Sequence, residues 1–267
     1  MMIHVLVAAL ALSVICNVIL LYPTAEKSAF RRALSSADDT EVKGQVIGGV
    51  TVPAGTRKLF LDLGANDGSS TAFFLGLTTG GAVHIQGGDS GSVLQGLGKT
   101  GDWEVVMFEA NANHTAKLDQ LKDRAMANHL VKEMRIFNGT AITGTSGPIT
   151  FIIDHPVTGD AGSTTLAESG SAHGKHFTIP GIGIIDLFHM LKIHKDDFVV
   201  MKVDIEGAEF EVLRQLISHG VYGRVNIMAV EYHDTNPHVF GKNPATRAKY
   251  QTQHQCLDWM VEGIDST

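Results

Sequence analysis

Residues 59–71, LFLDLGANDGSST, constrain the fold of this chain more than any other segment. They predict a buried strand that ends near Asp62, a glycine turn from Gly64 to Gly68, and a helix that opens at Ser69. Small nucleotide-like ligands bind where the carboxyl ends of parallel strands meet in an α/β sheet. The segment therefore predicts a ligand site at that edge; the alternative is a junction whose glycines only shape the turn.

The spacing of the glycines favours one class of ligand. A dinucleotide site requires G-x-G-x-x-G, so that a pyrophosphate can rest on the helix N-terminus. This turn is instead G-x-x-x-G, with Asp62 two residues before it. A carboxylate there would repel a pyrophosphate, whereas S-adenosylmethionine carries a sulfonium, an ammonium and a ribose but no phosphate. The turn thus favours S-adenosylmethionine over a dinucleotide.

A second acid follows the next predicted strand. The apolar run WEVVMF, residues 103–108, ends at Glu109, and an acid in that position typically accepts hydrogen bonds from ribose hydroxyls. We expect Asp62 and Glu109 to form one acidic cradle for the cationic ligand. The interval between them exceeds the usual spacing, and we assign the excess to a glycine-rich insertion at 80–101, predicted to be a surface loop.

Two later strands also end in polar side chains. Residues 197–209, DFVVMKVDIEGAE, place Asp204 and Glu206 at a strand end, and MAVEYH places Glu231 and His233 at another. These four are the candidate catalytic residues, because methyl transfer requires a group that removes a proton from the acceptor.

The same acids have other interpretations. Asp204 and Glu206 lie on one side of an extended segment, so the pair could hold a divalent cation. Alternatively, Asp204 bonds to the backbone, Glu206 lies in the first turn of the next helix, and His233 is a surface loop residue.

A family resemblance joins these segments. In order along the chain, LFLDLGANDGSST, VVMFEAN, IIDLF, VVMKVDIEGAEFEVL and MAVEYH resemble the FkbM family of S-adenosylmethionine-dependent methyltransferases, over roughly residues 57–235. The resemblance implies a doubly wound, seven-stranded Rossmann-like α/β sheet. It also implies methyl transfer, usually to a hydroxyl oxygen, with glycans and small molecules as the expected acceptors.

The resemblance also implies which residues bind the cofactor. Glu109 would hold the ribose hydroxyls, and Ala141 would lie near the adenine. The other implied cofactor-binding residues are Asp62, Gly64, Ala65, Asn66, Gly68 and Ala110.

The C-terminal part departs from the family pattern. After a helix predicted at 245–261 the sequence stops at Thr267, where a final β-hairpin of such a sheet should begin. Either the hairpin is absent or the sequence is truncated. Without the hairpin, an apolar sheet edge would be exposed.

The N-terminal segment suggests a membrane anchor. Residues 3–22 are almost wholly apolar and, as a helix, long enough to cross a bilayer. We favour an uncleaved signal anchor over 1–22, above a cleaved signal peptide and a buried helix, followed by a stem over 23–56 and a methyltransferase domain over 57–267.

The orientation signals in the sequence conflict. Basic residues after the span would keep the domain cytoplasmic, whereas the sequons at Asn113 and Asn138 are usable only in the lumen. The frequent glycan acceptors of the family favour a luminal domain in the secretory pathway.

Composition excludes several other classes. The net charge of −7 leaves no basic stripe for nucleic acid, and neither Cys-x-x-Cys nor His-x-x-x-His occurs, so no zinc site is predicted. Two alternatives to the methyltransferase remain. One is a non-catalytic, membrane-anchored binding module that keeps the fold, and the other is a nicotinamide oxidoreductase, which the glycine pattern disfavours.

Overall fold

The structure is a computed structural model that describes residues 16–21, 44–77, 94–153 and 175–232. Most of the predicted insertion at 80–101 and the helix predicted at 245–261 lie outside these ranges. The helices and strands, in chain order, are β1 (Cys16–Leu21), β2 (Gly44–Ile47), β3 (Val50–Pro53), β4 (Lys58–Leu63), α1 (Ser69–Phe74), β5 (Trp103–Glu109), α2 (Thr115–Ala127), β6 (Glu133–Asn138), β7 (Ala141–Thr143), β8 (Gly147–Ile153), β9 (Lys175–Gly183), α3 (Ile184–Met190), β10 (Phe198–Val203), α4 (Glu209–Ser218) and β11 (Ile227–Tyr232).

The main sheet has the strand order β1-β11-β10-β4-β5-β6. Five neighbouring strands, from β11 to β6, are parallel, and β1 is antiparallel to β11. The chain leaves β4 toward β5 and β6 and then returns to β10 on the other side of β4, so the strand order reverses there. This reversal is the switch point at which α/β sheets bind ligands. The predicted α/β, Rossmann-like sheet is confirmed as a parallel sheet of five strands.

Both faces of the sheet are buried. On one face Phe60 stacks on Phe74 of α1, with ring centroids 4.0 Å apart, and Phe74 meets the edge of Trp103 at 4.9 Å. On the other face Leu59 and Leu61 pack in a second cluster with residues of α3 and α4. Because neighbouring residues of β4 enter opposite cores, the strand is apolar almost throughout its length.

A smaller three-stranded sheet has the order β7-β9-β8. The sequence predicts a hairpin within residues 141–153, but β7 and β8 do not pair with each other. Both pair with β9, which runs parallel to β7 and antiparallel to β8. The local pattern of residues does not indicate this pairing, because β9 is distant from β7 and β8 in the sequence.

The strand β1 occupies part of the predicted membrane anchor. Cys16 pairs with Tyr232 and Leu21 with Ile227, in an antiparallel register along β11. The structure describes residues 16–21 as a strand and does not show the predicted transmembrane helix over 1–22, of which residues 1–15 and 22 lie outside the described ranges. Among the described residues, no helix combines the length and the apolar character required to cross a bilayer. Among the described strands, β1 covers the outer edge of β11.

The hairpin of β2 and β3 lies within the segment 23–56 that was predicted as a stem. Ile47 and Val52 are each 3% exposed and pack in the core cluster that contains Phe60. Gly48 has a φ of +54°, and a Cβ there would lie 2.5 Å from Ile227 Cδ1. Residues 44–53 therefore belong to the folded domain.

Candidate functional site

A cavity opens at the carboxyl ends of the parallel strands, between the loops after β4, β5, β6 and β10. Seven of the predicted site residues line it, namely Gly64, Asn66, Glu109, Ala110, Ala141, Asp204 and Glu206. The structure thus brings together residues that are as much as 142 positions apart, from Gly64 to Glu206. This supports the prediction of a ligand site at this sheet edge.

The glycine turn is fixed by its neighbours on both sides. The N–H groups of Gly64 and Ala65 both donate to the carbonyl oxygen of Phe108, at 3.0 and 2.9 Å. Gly64 has a φ of +83°, and a Cβ there would lie 1.7 Å from the carbonyl oxygen of Asp204. The turn therefore packs directly against β5 and against the loop after β10, which requires glycine at position 64.

Glu109 binds two loops at once. One carboxylate oxygen accepts the N–H of Asn66 at 2.6 Å, and the other accepts the N–H of Asn111 at 2.7 Å. Each oxygen keeps a second lone pair that a ribose hydroxyl could use. Burial raises the pKa of the Glu109 carboxyl above its ordinary value, although the two backbone hydrogen bonds oppose the increase.

Asp62 does not line the cavity. Its carboxylate is fully buried beneath the turn, where it accepts a hydrogen bond from Thr71 Oγ1 at 2.7 Å and lies 3.5 Å from the Nζ of Lys202. The expectation that Asp62 and Glu109 form one cradle is wrong, because only Glu109 faces the cavity. Asp62 instead supports the turn and the start of α1 from below.

Lys202, which contacts two residues of the cavity wall, is a buried charge that the sequence analysis did not single out. Its Nζ lies 2.9 Å from Asp204 Oδ2 and donates to the carbonyl oxygen of Gly64 at 2.9 Å. Burial opposes the charge on this ammonium, but Asp204 and Asp62 outweigh it and raise the pKa of Lys202. A lysine that interrupts an otherwise apolar buried strand was the signal that could have identified it.

The loop after β10 presents Glu206 to the cavity. Glu206 has a φ of +53°, a left-handed conformation that is uncommon for residues other than glycine, and Gly207 follows at +104°. The buried carboxylate of Glu209 accepts the N–H groups of Ile205 at 3.0 Å and of Gly207 at 2.8 Å, which holds the loop in this shape. Glu209 begins α4, whereas Glu206 lies in the loop before it.

The opposite wall of the cavity is mostly apolar. Phe108, Ile142 and Phe151 line it beside Ala141, and His114, which is 7% exposed, closes it on the side of α2. The sequence indicated His114 only as the middle of a sequon, so its place in the cavity was not predicted.

The remaining predicted site residues lie elsewhere. Ala65 is in the core, and Gly68 packs against α2, since a Cβ there would lie 2.7 Å from Leu121 Cδ2. Glu231 is the last residue but one of β11 and is half-buried, and His233 lies outside the described residues. Within the described ranges, no group of three His, Cys, Asp or Glu side chains is arranged to hold a metal ion.

The parallel sheet with its switch point, and the acidic cavity at that point, define a Rossmann-like domain for a small cofactor. The family model "Methyltransferase FkbM domain" matches residues 62–260. The chain therefore belongs to the FkbM family of methyltransferases, as its motifs predicted, and this family implies S-adenosylmethionine as the cofactor. The comparisons with curated proteins and with solved structures gave no match.

Proposed function

We propose that this protein transfers the methyl group of S-adenosylmethionine to a hydroxyl oxygen of a glycan or small-molecule acceptor. The observation that carries the proposal is the cavity wall at the switch point, where Glu109, Asp204 and Glu206 supply carboxylates. No Lys or Arg is among the described residues that line this cavity. Such a wall suits a sulfonium and an ammonium, and it disfavours a pyrophosphate.

The residues present fit S-adenosylmethionine on each side of the cavity. The second lone pairs of the Glu109 carboxylate would accept hydrogen bonds from the ribose hydroxyls. Phe108, Ile142 and Phe151 offer an apolar surface for the adenine, and Asp204 and Glu206 offer negative charge for the methionine part.

When bound, the cofactor supplies a methyl group activated by the positively charged sulfur. The chain then has to align the acceptor oxygen with that methyl group and to accept the proton that the hydroxyl loses. Glu206 is the proposed proton acceptor, because the protein holds its backbone in a strained conformation that points the residue toward the cavity. Asp204 is proposed to position the cofactor, since its carboxylate is held in place by Lys202.

Calorimetric titration of the full chain with S-adenosylmethionine and with NAD tests the cofactor. We expect S-adenosylmethionine to bind and NAD not to bind; binding of NAD alone would contradict the proposal. Glu109→Gln should weaken the binding of S-adenosylmethionine about tenfold, because a hydrogen bond to a charged group is replaced by a neutral one.

Glu104→Gln is the matched control for this titration. Glu104 lies on the same strand and is equally buried, at 7% exposure against 8% for Glu109, but at the opposite end, where it pairs with Arg57 and Lys132. Its substitution should leave the affinity for S-adenosylmethionine unchanged.

The acceptor is tested by transfer of labelled methyl groups to a cell lysate separated into glycan, small-molecule, lipid and protein fractions. Label in the glycan or small-molecule fraction would support the proposal. Binding of the cofactor without transfer to any fraction would instead support the non-catalytic binding module.

We also propose that the domain is luminal, in the secretory pathway. The support is the sequon at Asn113, which is exposed on the turn before α2, where a glycosyltransferase could reach it. Asn138 lies at the end of β6, and its Oδ1 is buried.

A further inference from the structure

Lys202 is a buried residue of the main sheet. It is on the central strand β10, opposite Asp62 of β4 and Ala229 of β11, and its side chain is 7% exposed. A buried ammonium is unfavourable unless opposite charges and hydrogen bonds compensate for the lost water. The chain supplies both kinds of partner at this position.

Two partners of Lys202 come from two of the four loops that surround the cavity. Asp204 belongs to the loop after β10, and the Gly64 carbonyl belongs to the turn after β4. Both residues line the cavity, and two residues beyond Gly64 the N–H of Asn66 donates to Glu109. A single ammonium therefore connects the loop after β4 with the loop after β10, and both loops line the cavity.

Lys202 also balances charge at this edge of the sheet. The carboxylates of Asp204, Asp62 and Glu231 all act electrostatically on its ammonium, and the ammonium acts in turn on Glu109. One positive charge among four carboxylates leaves the region negative, which suits a cationic ligand. Without Lys202, less of the negative charge of Asp204 and Asp62 would be offset beside the cavity.

We propose that Lys202 is a positioning residue of the cofactor site, which ties the Gly64 turn to the loop at Asp204 and offsets part of the negative charge there. The offset limits how strongly the site prefers the cationic methyl donor over S-adenosylhomocysteine, the neutral thioether that remains after transfer. This inference rests on the proposed function, because it concerns the affinities for donor and product.

The test compares Lys202→Met, Lys202→Arg and the wild type by calorimetric titration with both ligands. In Lys202→Met the affinity for S-adenosylhomocysteine should fall about tenfold, because the two loops are no longer held together. The preference for S-adenosylmethionine should at the same time rise at least about threefold, because one positive charge near the sulfonium is removed. Lys202→Arg retains the charge and should keep the preference of the wild type.

Lys58→Met is the matched control. The Lys58 side chain is also 7% exposed and lies on the adjacent strand β4, but at its amino end, where it pairs with Asp102. Its loss should lower the melting temperature while both affinities stay unchanged. If Lys202 were only structural, Lys202→Met would likewise lower the melting temperature and leave both affinities unchanged.

The outcomes separate this inference from the proposed function. If Lys202→Met changes neither the affinity for S-adenosylhomocysteine nor the preference by more than about twofold, the positioning role is overturned. If Lys202→Met does not fold, the same titrations are made on Asp62→Asn/Lys202→Met. In this variant a neutral amide replaces the fully buried carboxylate that faced the ammonium. A wild-type protein that binds neither ligand would overturn the proposed function itself, and this inference with it.

Discussion

The carbonyl oxygen of Asp204 occupies the space that a side chain at Gly64 would need: a Cβ there would lie 1.7 Å away. Both residues line the cavity, so the site is assembled by direct packing of one loop on the other. The glycine of this motif is required first by the protein's own backbone. Close approach of a ligand is a second reason for it.

We therefore predict that Gly64→Ala destabilises the protein by about 2–4 kcal/mol and abolishes cofactor binding. The cost combines the strain of a φ of +83° with displacement of the loop at Asp204. Gly55→Ala is the control, because Gly55 has the same φ, +82°, with nothing within 4 Å of an added Cβ. It should cost only about 1 kcal/mol, from conformation alone. Urea unfolding measures both values, and equal losses would contradict the steric argument.

The pKa shifts of Glu109 and Glu104 predict opposite effects of pH on stability. Burial raises the pKa of Glu109 above 4.5 in the native protein. Glu109 therefore binds a proton more tightly in the native state than in the unfolded state. This contribution to stability is present below pH 4.5 and is lost as the pH rises through the native pKa. Glu109→Gln should therefore gain stability relative to the wild type as the pH rises from about 4.5 to 7.

The effect of pH on the stability contribution of Glu104 has the opposite sign. Burial opposes ionisation of this carboxyl, but hydrogen bonds and charges from Arg57 and Lys132 outweigh it and lower its pKa below 4.5. Its contribution is present above that value and is lost on acidification, so Glu104→Gln should lose less stability than the wild type below about pH 4.5. Urea unfolding across this pH range measures both slopes. Equal slopes for the two variants would refute the assignment.

Glu206 should show a conflict between stability and activity. We predict that Glu206→Gly raises the free energy of unfolding by about 1 kcal/mol, because glycine adopts a φ of +53° without strain. Methyl transfer should nevertheless fall at least about 100-fold, because the proposed proton acceptor is lost. The matched control is Lys192→Gly, at an exposed position with a φ of +50°, which should be stabilised with its activity intact. Unaltered methyl transfer by Glu206→Gly would exclude Glu206 from catalysis.

Glycosylation should occur at one of the two sequons only. After expression through the secretory pathway of a eukaryotic cell, we expect a glycan at the exposed Asn113 and none at Asn138, whose side-chain oxygen is buried. Digestion with an N-glycosidase should shift the electrophoretic mobility of the wild type and of Asn138→Gln, but not of Asn113→Gln. A shift that persists in Asn113→Gln would contradict the prediction.

The sequence predicted the parallel sheet and the location of the cavity well, because both are determined by apolar runs that end in polar residues. It could not tell which way a polar side chain at a strand end faces, so Asp62 was placed in the cavity with Glu109. Lys202 was missed for a related reason. Two of its partners, Gly64 and Asp62, are more than 130 residues away in the sequence, and no local pattern indicates these contacts.

The strand at residues 16–21 was not predicted, because an apolar run satisfies a lipid bilayer and an open sheet edge equally well. A membrane span and an edge strand can share the same length and hydrophobicity. What distinguishes the strand here is its pairing with the edge of β11, which the sequence does not reveal. Tertiary context of this kind also places β9 between β7 and β8.

The pairing of β1 with β11 has a consequence for how the protein is made. Of the described strands β1 is translated first and β11 last, yet Leu21 pairs with Ile227. An apolar segment therefore leaves the ribosome long before its partner exists, and contacts of such long sequence separation form slowly. We expect this margin of the sheet to close only after synthesis has passed β11, and until then residues 16–21 are accessible to chaperones and to the targeting machinery.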